Sequence, residues 1–170
     1  MNSTSSPIVI RIANLDDANA MTTYMAALNA EPLDTVTRRA PPTEEEERTF
    51  ISAATAAGAT ILLAAQGDTV VGLIDLWPGK APHDRHVWHF GMSVASAYRR
   101  RGIGRRLAVE AVDRCRSQPT ACRLEIEVVP WNAPAIALYQ SLGFVVEATK
   151  AKAINLRGRP EDLLLMSMVW

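Results

Sequence analysis

Apolar and polar positions change their period several times along the chain, and each change marks an element. Ile8-Val9-Ile10-Arg11-Ile12 is β-branched and partly alternating, which predicts a first strand. Asn14 or Asp16 can cap a helix that runs to about Ala30 and stops before Pro32. Pro41-Pro42 breaks the chain, and Thr43-Glu44-Glu45-Glu46 then opens a second helix as a capping box with acids at its positive end. Ile61 to Ala65 and Val70 to Trp77 read as a hairpin around Gly67-Asp68. A loop over Pro78 to Arg85 precedes a strand over His86 to Val94. A third helix is predicted from about Gly102 to Ser117, apolar at Leu107, Val109, Ala111 and Val112. Leu124, Ile126 and Val128 alternate with Arg123, Glu125 and Glu127, the pattern of a fifth strand. Asn132 caps a short helix that tolerates Pro134 in its first turn and ends at Gly143. Two strands close the chain, Phe144 to Ile154 and Leu163 to Val169.

The predicted order is β-α-α-β-β-β-α-β-α-β-β. Hairpin-linked strands with one β-α-β crossover imply an α/β fold with a mixed sheet and helices on both faces. A chain of 170 residues is the size of one domain, with a core that needs no disulfide or metal, and residues 1–6 are expected to be loose. Lys+Arg and Asp+Glu are equal at 18 each, which argues against a dedicated nucleic-acid binder. Cys115 and Cys122 belong to no CxxC pair or zinc pattern and read as two buried small hydrophobes in a reducing cytoplasm. The start of the chain lacks the parts of a signal peptide, and no apolar run has the length to span a bilayer. A cytoplasmic protein without membrane contact is the expectation.

Chemistry concentrates where the strand ending at Val94 turns into the third helix. Gly102 and Gly104 let backbone approach a ligand, and the unpaired N–H groups of a helix N-terminus form an anion site. Arg99, Arg100, Arg101, Arg105 and Arg106 surround it, so a diphosphate is a natural ligand. The motif is not a Rossmann fingerprint, because position 107 is Leu and the site lies mid-chain. Nor does it supply the G-x-x-x-x-G-K-[ST] of a P-loop.

Arg99, Gly102 and Gly104 fit [R/Q]-x-x-G-x-[G/A] after a strand, which resembles the coenzyme A pyrophosphate loop of the GNAT N-acetyltransferase superfamily. Asn132-Ala133-Pro134-Ala135-Ile136-Ala137-Leu138-Tyr139-Gln140-Ser141-Leu142-Gly143-Phe144 resembles that family's N-x-x-A-x-x-L-Y-x-x-x-G-F signature. His86-Val87, Phe90-Gly91, Asn132 to Ile136 and a Gly158 to Asp162 to Met166 spacing are similar to bacterial members that acetylate free L-amino acids. Ser96 departs from the proline of many relatives, which should loosen the turn without removing an anion-binding N–H.

The resemblance implies acetyl-CoA as cofactor without a metal. It implies main-chain pairing of pantetheine along Met92, Ser93 and Val94, where an N–H can also bind the thioester oxygen. The diphosphate would then lie on Arg99, Arg100, Arg101, Gly102, Ile103, Gly104 and Arg105. Asn132 matches the residue that bonds pantetheine, besides being a helix cap. Tyr139, two turns along the same helix, matches the tyrosine that protonates the departing thiolate. The amine must lose a proton, and Glu127 matches the proposed base of several branches. Glu125 shares its strand face, where paired carboxylates could raise one pKa. His89 is the rival base, and Trp88 and Trp131 belong either to the core or to the acceptor pocket. No cysteine suits a covalent acyl-enzyme, so direct attack in a ternary complex is expected. The acceptor is read as a free L-amino acid or similar small amine, with polyamines or protein N-termini as alternatives. Against these stands a non-catalytic acyl-CoA-binding module. Family members are often dimers, which implies a homodimer by analogy.

Overall fold

The computed structural model describes residues 6–31, 41–156 and 158–170. Its strands are β1 (Ile8–Ile12), β2 (Thr60–Gln66), β3 (Thr69–Pro78), β4 (Val87–Val94), β5 (Arg123–Val128), β6 (Val145–Leu156) and β7 (Arg159–Val169). Its helices are α1 (Ala18–Ala30), α2 (Glu44–Ala57), α3 (Ile103–Arg116) and α4 (Ala133–Ser141). The sheet order is β1-β2-β3-β4-β5-β7-β6. β4 pairs with β5 in parallel, while β1–β2, β2–β3, β5–β7 and β6–β7 are antiparallel. The predicted mixed α/β order is therefore the observed one. The chain forms two compact units, and β4 contributes its first four residues to one and its last four to the other.

The first unit contains β1, β2, β3, α1, α2, the end of β4 and the first part of α3. Gln66 pairs with Thr69, which places Gly67-Asp68 at the hairpin tip as the sequence predicts. Asn14 caps not the α-helix itself but a 3-10 turn, Leu15–Asp17, that leads into α1. Its Oδ1 accepts from Asp16 N at 2.8 Å, while Asp17 accepts from Asn14 N at 2.8 Å and from both terminal nitrogens of Arg11. Thr43 and Glu46 form the predicted reciprocal box at the start of α2. The stop of α1 before Pro32 falls at the edge of the described residues, and the first five residues lie outside them. Met21, Leu62, Leu63, Val71, Ile74, Leu76 and Leu107 are fully buried and form the core of this unit.

The second unit contains the start of β4, the end of α3, β5, α4, β6 and β7. Leu124, Ile126 and Val128 are buried, and Glu125 and Glu127 stand on the other face, as alternation predicts. Both closing strands extend past their predicted inner ends, to Leu156 and from Arg159. Cross-strand pairing of Leu156 with Arg159 carries β-structure through residues whose own pattern shows little alternation. Cys115 is buried, and its thiol is pushed up to about 12 by desolvation. Cys122 is only half-buried, which corrects the expectation of two buried cysteines.

Candidate active site

The turn after β4 takes a 3-10 form over Ser96–Tyr98. Two residues beyond it have positive φ, Arg100 at 58° and Gly102 at 77°. A Cβ on Gly102 would meet nothing within 4 Å, so glycine is required there by conformation and not by space. Residues of alternating hand turn successive N–H groups toward one side, the geometry of an anion-binding nest. The N–H groups from Arg100 to Gly104 form no turn or cap hydrogen bond among the described residues, and the first such bond of α3 is Arg106 N to Gly102 O at 3.0 Å. Free N–H groups at a helix N-terminus are what a diphosphate needs. Coenzyme A therefore fits this loop.

The arginine side chains divide. Arg99 donates through Nε to Val94 O at 2.8 Å and through NH2 to Glu31 at 2.5 Å. Arg106 reaches Ile8 O at 3.0 Å. Arg101 lies over the Tyr98 ring at 5.3 Å and is exposed, as is Arg100. The five guanidinium groups around the loop thus differ in what they hold: those of Arg99 and Arg106 bind oxygens of the protein itself. Arg105 is exposed and has a protein interaction of its own. The expectation of a loosened turn at Ser96 is corrected. Its N–H, which proline would lack, donates to Glu31 Oε1 at 2.8 Å. Glu31 thereby holds both ends of the Ser96 to Arg99 turn. Sequence reading missed Glu31 because an acid at a helix end gives no sign of a partner more than sixty positions away.

The β4–β5 ladder covers Val87–His89 against Arg123–Glu125. Among the described residues, Met92, Ser93 and Val94 take no part in that ladder. Ser93 Oγ accepts from Tyr24 at 2.8 Å, and burial pushes the Tyr24 phenol up to about 12.

In the second unit, Asn132 caps α4, with Oδ1 3.4 Å from Ala135 N. Tyr139 is buried, and its ring meets Phe90 edge-on at 5.6 Å and Phe144 at 5.9 Å. Desolvation pushes its phenol up to about 12. No described residue hydrogen-bonds its hydroxyl. The β5 carboxylates pair with cations and not with each other. Glu125 accepts from Arg123 and stands 3.4 Å from His89 Nδ1, and Arg123 also holds Glu147 on β6. That partnership holds the Glu147 carboxyl down to about 2. Glu127 accepts from Lys150 at 2.5 Å, and the Lys150 ammonium is raised in consequence. Trp88 is buried with its indole nitrogen unbonded, whereas Trp131 is 47% exposed and so belongs to no core. Among the described residues no grouping of His, Cys, Asp and Glu could hold a metal ion, and no helix is long and apolar enough to cross a membrane.

Comparison with known proteins places this geometry in a family. A model of the acetyltransferase (GNAT) family matches residues 24–144. The chain belongs to that family, the N-acetyltransferases that use acetyl-CoA. It is 32% identical over 108 residues to the L-amino acid N-acetyltransferase AaaT of Escherichia coli K12, covering 64% of this chain and 67% of the relative. It is 34% identical over 79 residues to the [ribosomal protein bS18]-alanine N-acetyltransferase of the same strain, covering 46% of this chain and 53% of that protein, about half its length. The Streptococcus pneumoniae GNAT acetyltransferase superposes with a TM-score of 0.89 at 23% identity, over 96% of this chain and 100% of that one. The Salmonella typhimurium acetyltransferase yncA, solved with its cofactor acetyl-CoA, gives 0.84 at 23% identity, over 96% and 94%.

Proposed function

We propose that this enzyme transfers the acetyl group of acetyl-CoA to the primary amine of a free L-amino acid or a similar small amine, by direct attack. The loop from Arg100 to Gly104, whose N–H groups have no turn or cap partner among the described residues, carries the reading, because it offers a diphosphate site made of main chain. The main chain of Met92, Ser93 and Val94 pairs with pantetheine, and an N–H there stabilises the charge that grows on the thioester oxygen. Asn132 gives pantetheine a polar contact beside its cap. Glu127 accepts the amine's proton, directly or through water. Tyr139 donates to the thiolate as the C–S bond breaks. The amine's lone pair forms the new C–N bond, and coenzyme A leaves as the thiol. Buried Cys115, held as a thiol, is no candidate for an acyl-enzyme.

The free amino acid is favoured by the similarity to AaaT, which extends over most of the chain. The shorter similarity to the bS18-alanine enzyme favours a second reading, a protein N-terminus as acceptor. Incubation with acetyl-CoA and methionine, phenylalanine, spermidine, a lysine peptide or an alanine-initiated peptide, with free thiol followed, separates them. Turnover with the amino acids supports the first reading. Turnover confined to the alanine peptide or to spermidine overturns it.

A further inference from the structure

The first unit buries a carboxyl that the scheme above does not use. Glu47 lies in the first turn of α2 and is buried on the same helix side as Ile51 and Ala54. The cap of α2 does not need it, since Thr43 and Glu46 form the reciprocal box. The residue is 5% exposed, and its side chain has no hydrogen bond or ion pair among the described residues. The adjacent Arg48 turns to Glu44 instead, at 2.9 Å. Asp17, the other buried carboxyl among the described residues, is held by Arg11. Burial, and then Glu46, raise the Glu47 carboxyl above the ordinary range, so desolvation outweighs the favourable helix dipole. A buried carboxyl without a partner costs stability, and a cation would remove that cost.

The surroundings suit an ammonium group and lead to the reaction edge. One helical turn on, Phe50 packs against Trp77 of β3 with ring centroids 5.7 Å apart, and both residues are half-buried. Aromatic faces attract ammonium groups. Asp75 fixes the Trp77 indole, accepting from its Nε1 at 3.1 Å and from Gly91 N at 3.1 Å. Gly91 makes room for that carboxylate, since a Cβ there would stand 2.8 Å from Oδ1. Asp75 has a further interaction besides these two, so it is already committed within the protein. Gly91 is followed directly by Met92, Ser93 and Val94, the proposed thioester edge. From the other helix, α1, Asn19 donates to Glu44 of α2 at 3.3 Å and Tyr24 donates to Ser93 of that edge. Both helices are thereby tied to the strand on which transfer is proposed.

We infer that Glu47 receives the ammonium group of the acceptor amine, flanked by Phe50 and Trp77, an inference that rests on the acetyltransferase reading above. An α-amino group, with a pKa of about 8, arrives mostly as the cation at neutral pH, before its proton passes on as proposed above. The test compares wild type, Glu47→Gln and Glu47→Asp in the presence of coenzyme A. Calorimetry measures the affinity for each panel amine and for its hydroxyl analogue, thiol release gives KM, and a thermal melt gives stability. Glu47→Gln should weaken amine binding and raise its KM roughly 10- to 100-fold, the size of a lost charge-assisted hydrogen bond. Without amine it should melt at or above wild type, because the charge that burial penalises is gone, whereas a merely structural acid would lose stability. Affinity for acetyl-CoA and for the hydroxyl analogue should stay within about 2-fold. Glu47→Asp keeps the charge on a shorter stem and should recover part of the amine affinity. Unchanged amine affinity in a folded Glu47→Gln overturns the inference, and so does wild type that binds amine and hydroxyl analogue alike, a comparison that needs no variant to fold. Turnover that Glu47→Gln leaves unchanged sinks the inference and keeps the catalytic reading. Amine binding that depends on Glu47 without turnover by wild type supports it and sinks the catalytic reading instead.

Discussion

Replacing Tyr139 by Phe removes one oxygen from a ring held on two sides by Phe90 and Phe144. No described residue bonds that hydroxyl, so the packing is retained and stability should change by less than about 1 kcal/mol. Catalysis should change far more. General acid catalysis contributes roughly 10²- to 10⁴-fold. The phenol is pushed up to about 12, while an ordinary thiol has a pKa of about 8.5, so complete proton transfer to the thiolate is uphill by about 3.5 pK units, or about 5 kcal/mol. In the proposed mechanism Tyr139 is therefore a strong hydrogen-bond donor with partial transfer, and the expected loss belongs at the lower end, about 10²-fold in kcat. Steady-state thiol release at saturating amine, with acetyl-CoA affinity and a thermal melt measured in parallel, reads each part. A Phe variant that keeps kcat within about 3-fold of wild type, with both controls unchanged, would falsify the assignment.

Three further outcomes follow from named geometry. Gly102→Ala places a Cβ on a residue at φ 77°, at a cost of about 1–2 kcal/mol, and should weaken acetyl-CoA roughly 5- to 30-fold by calorimetry, with unaltered affinity counting against the nest. Glu127→Gln should lower kcat roughly 10²-fold while acetyl-CoA affinity and melting temperature hold, whereas a fall in melting temperature with kcat retained would point to the Lys150 ion pair and structure instead. Asp17→Ala removes the bidentate partner of Arg11 and a cap acceptor; because Arg11 is 38% exposed and can be rehydrated, the cost is about 2 kcal/mol, or about 4–8 °C in melting temperature. The hydrogen bonds from Arg11 lower the Asp17 pKa, so this stability is present above the unfolded value near 3.9 and is lost as pH falls through the folded one. The gap between wild type and variant should narrow below about pH 4.

Most of the fold was legible because its signals are local. Alternation at Arg123 to Val128, the Thr43 and Glu46 box and the Gly67-Asp68 turn each depend on residues a few positions apart. The positive φ at Gly102 was legible for the same reason, since glycine is the residue that adopts it without strain. The rest depends on tertiary contact. Nothing near Arg99 announces Glu31, nothing near Glu127 announces Lys150, and Asp75 reads as an ordinary strand acid until Gly91 is seen to make room for it. Spacing located the arginines but not their protein partners, such as Val94 O for Arg99 and Ile8 O for Arg106.

Direct transfer without an acyl-enzyme is tested by rapid mixing with acetyl-CoA, with thiol release and the protein's mass followed in the presence and absence of amine. No thiol and no added acetyl mass should form until an amine is present, and then one thiol for each acetylated amine. Thiol released with acetylation of the protein in the absence of amine, or no release with any amine, would contradict it.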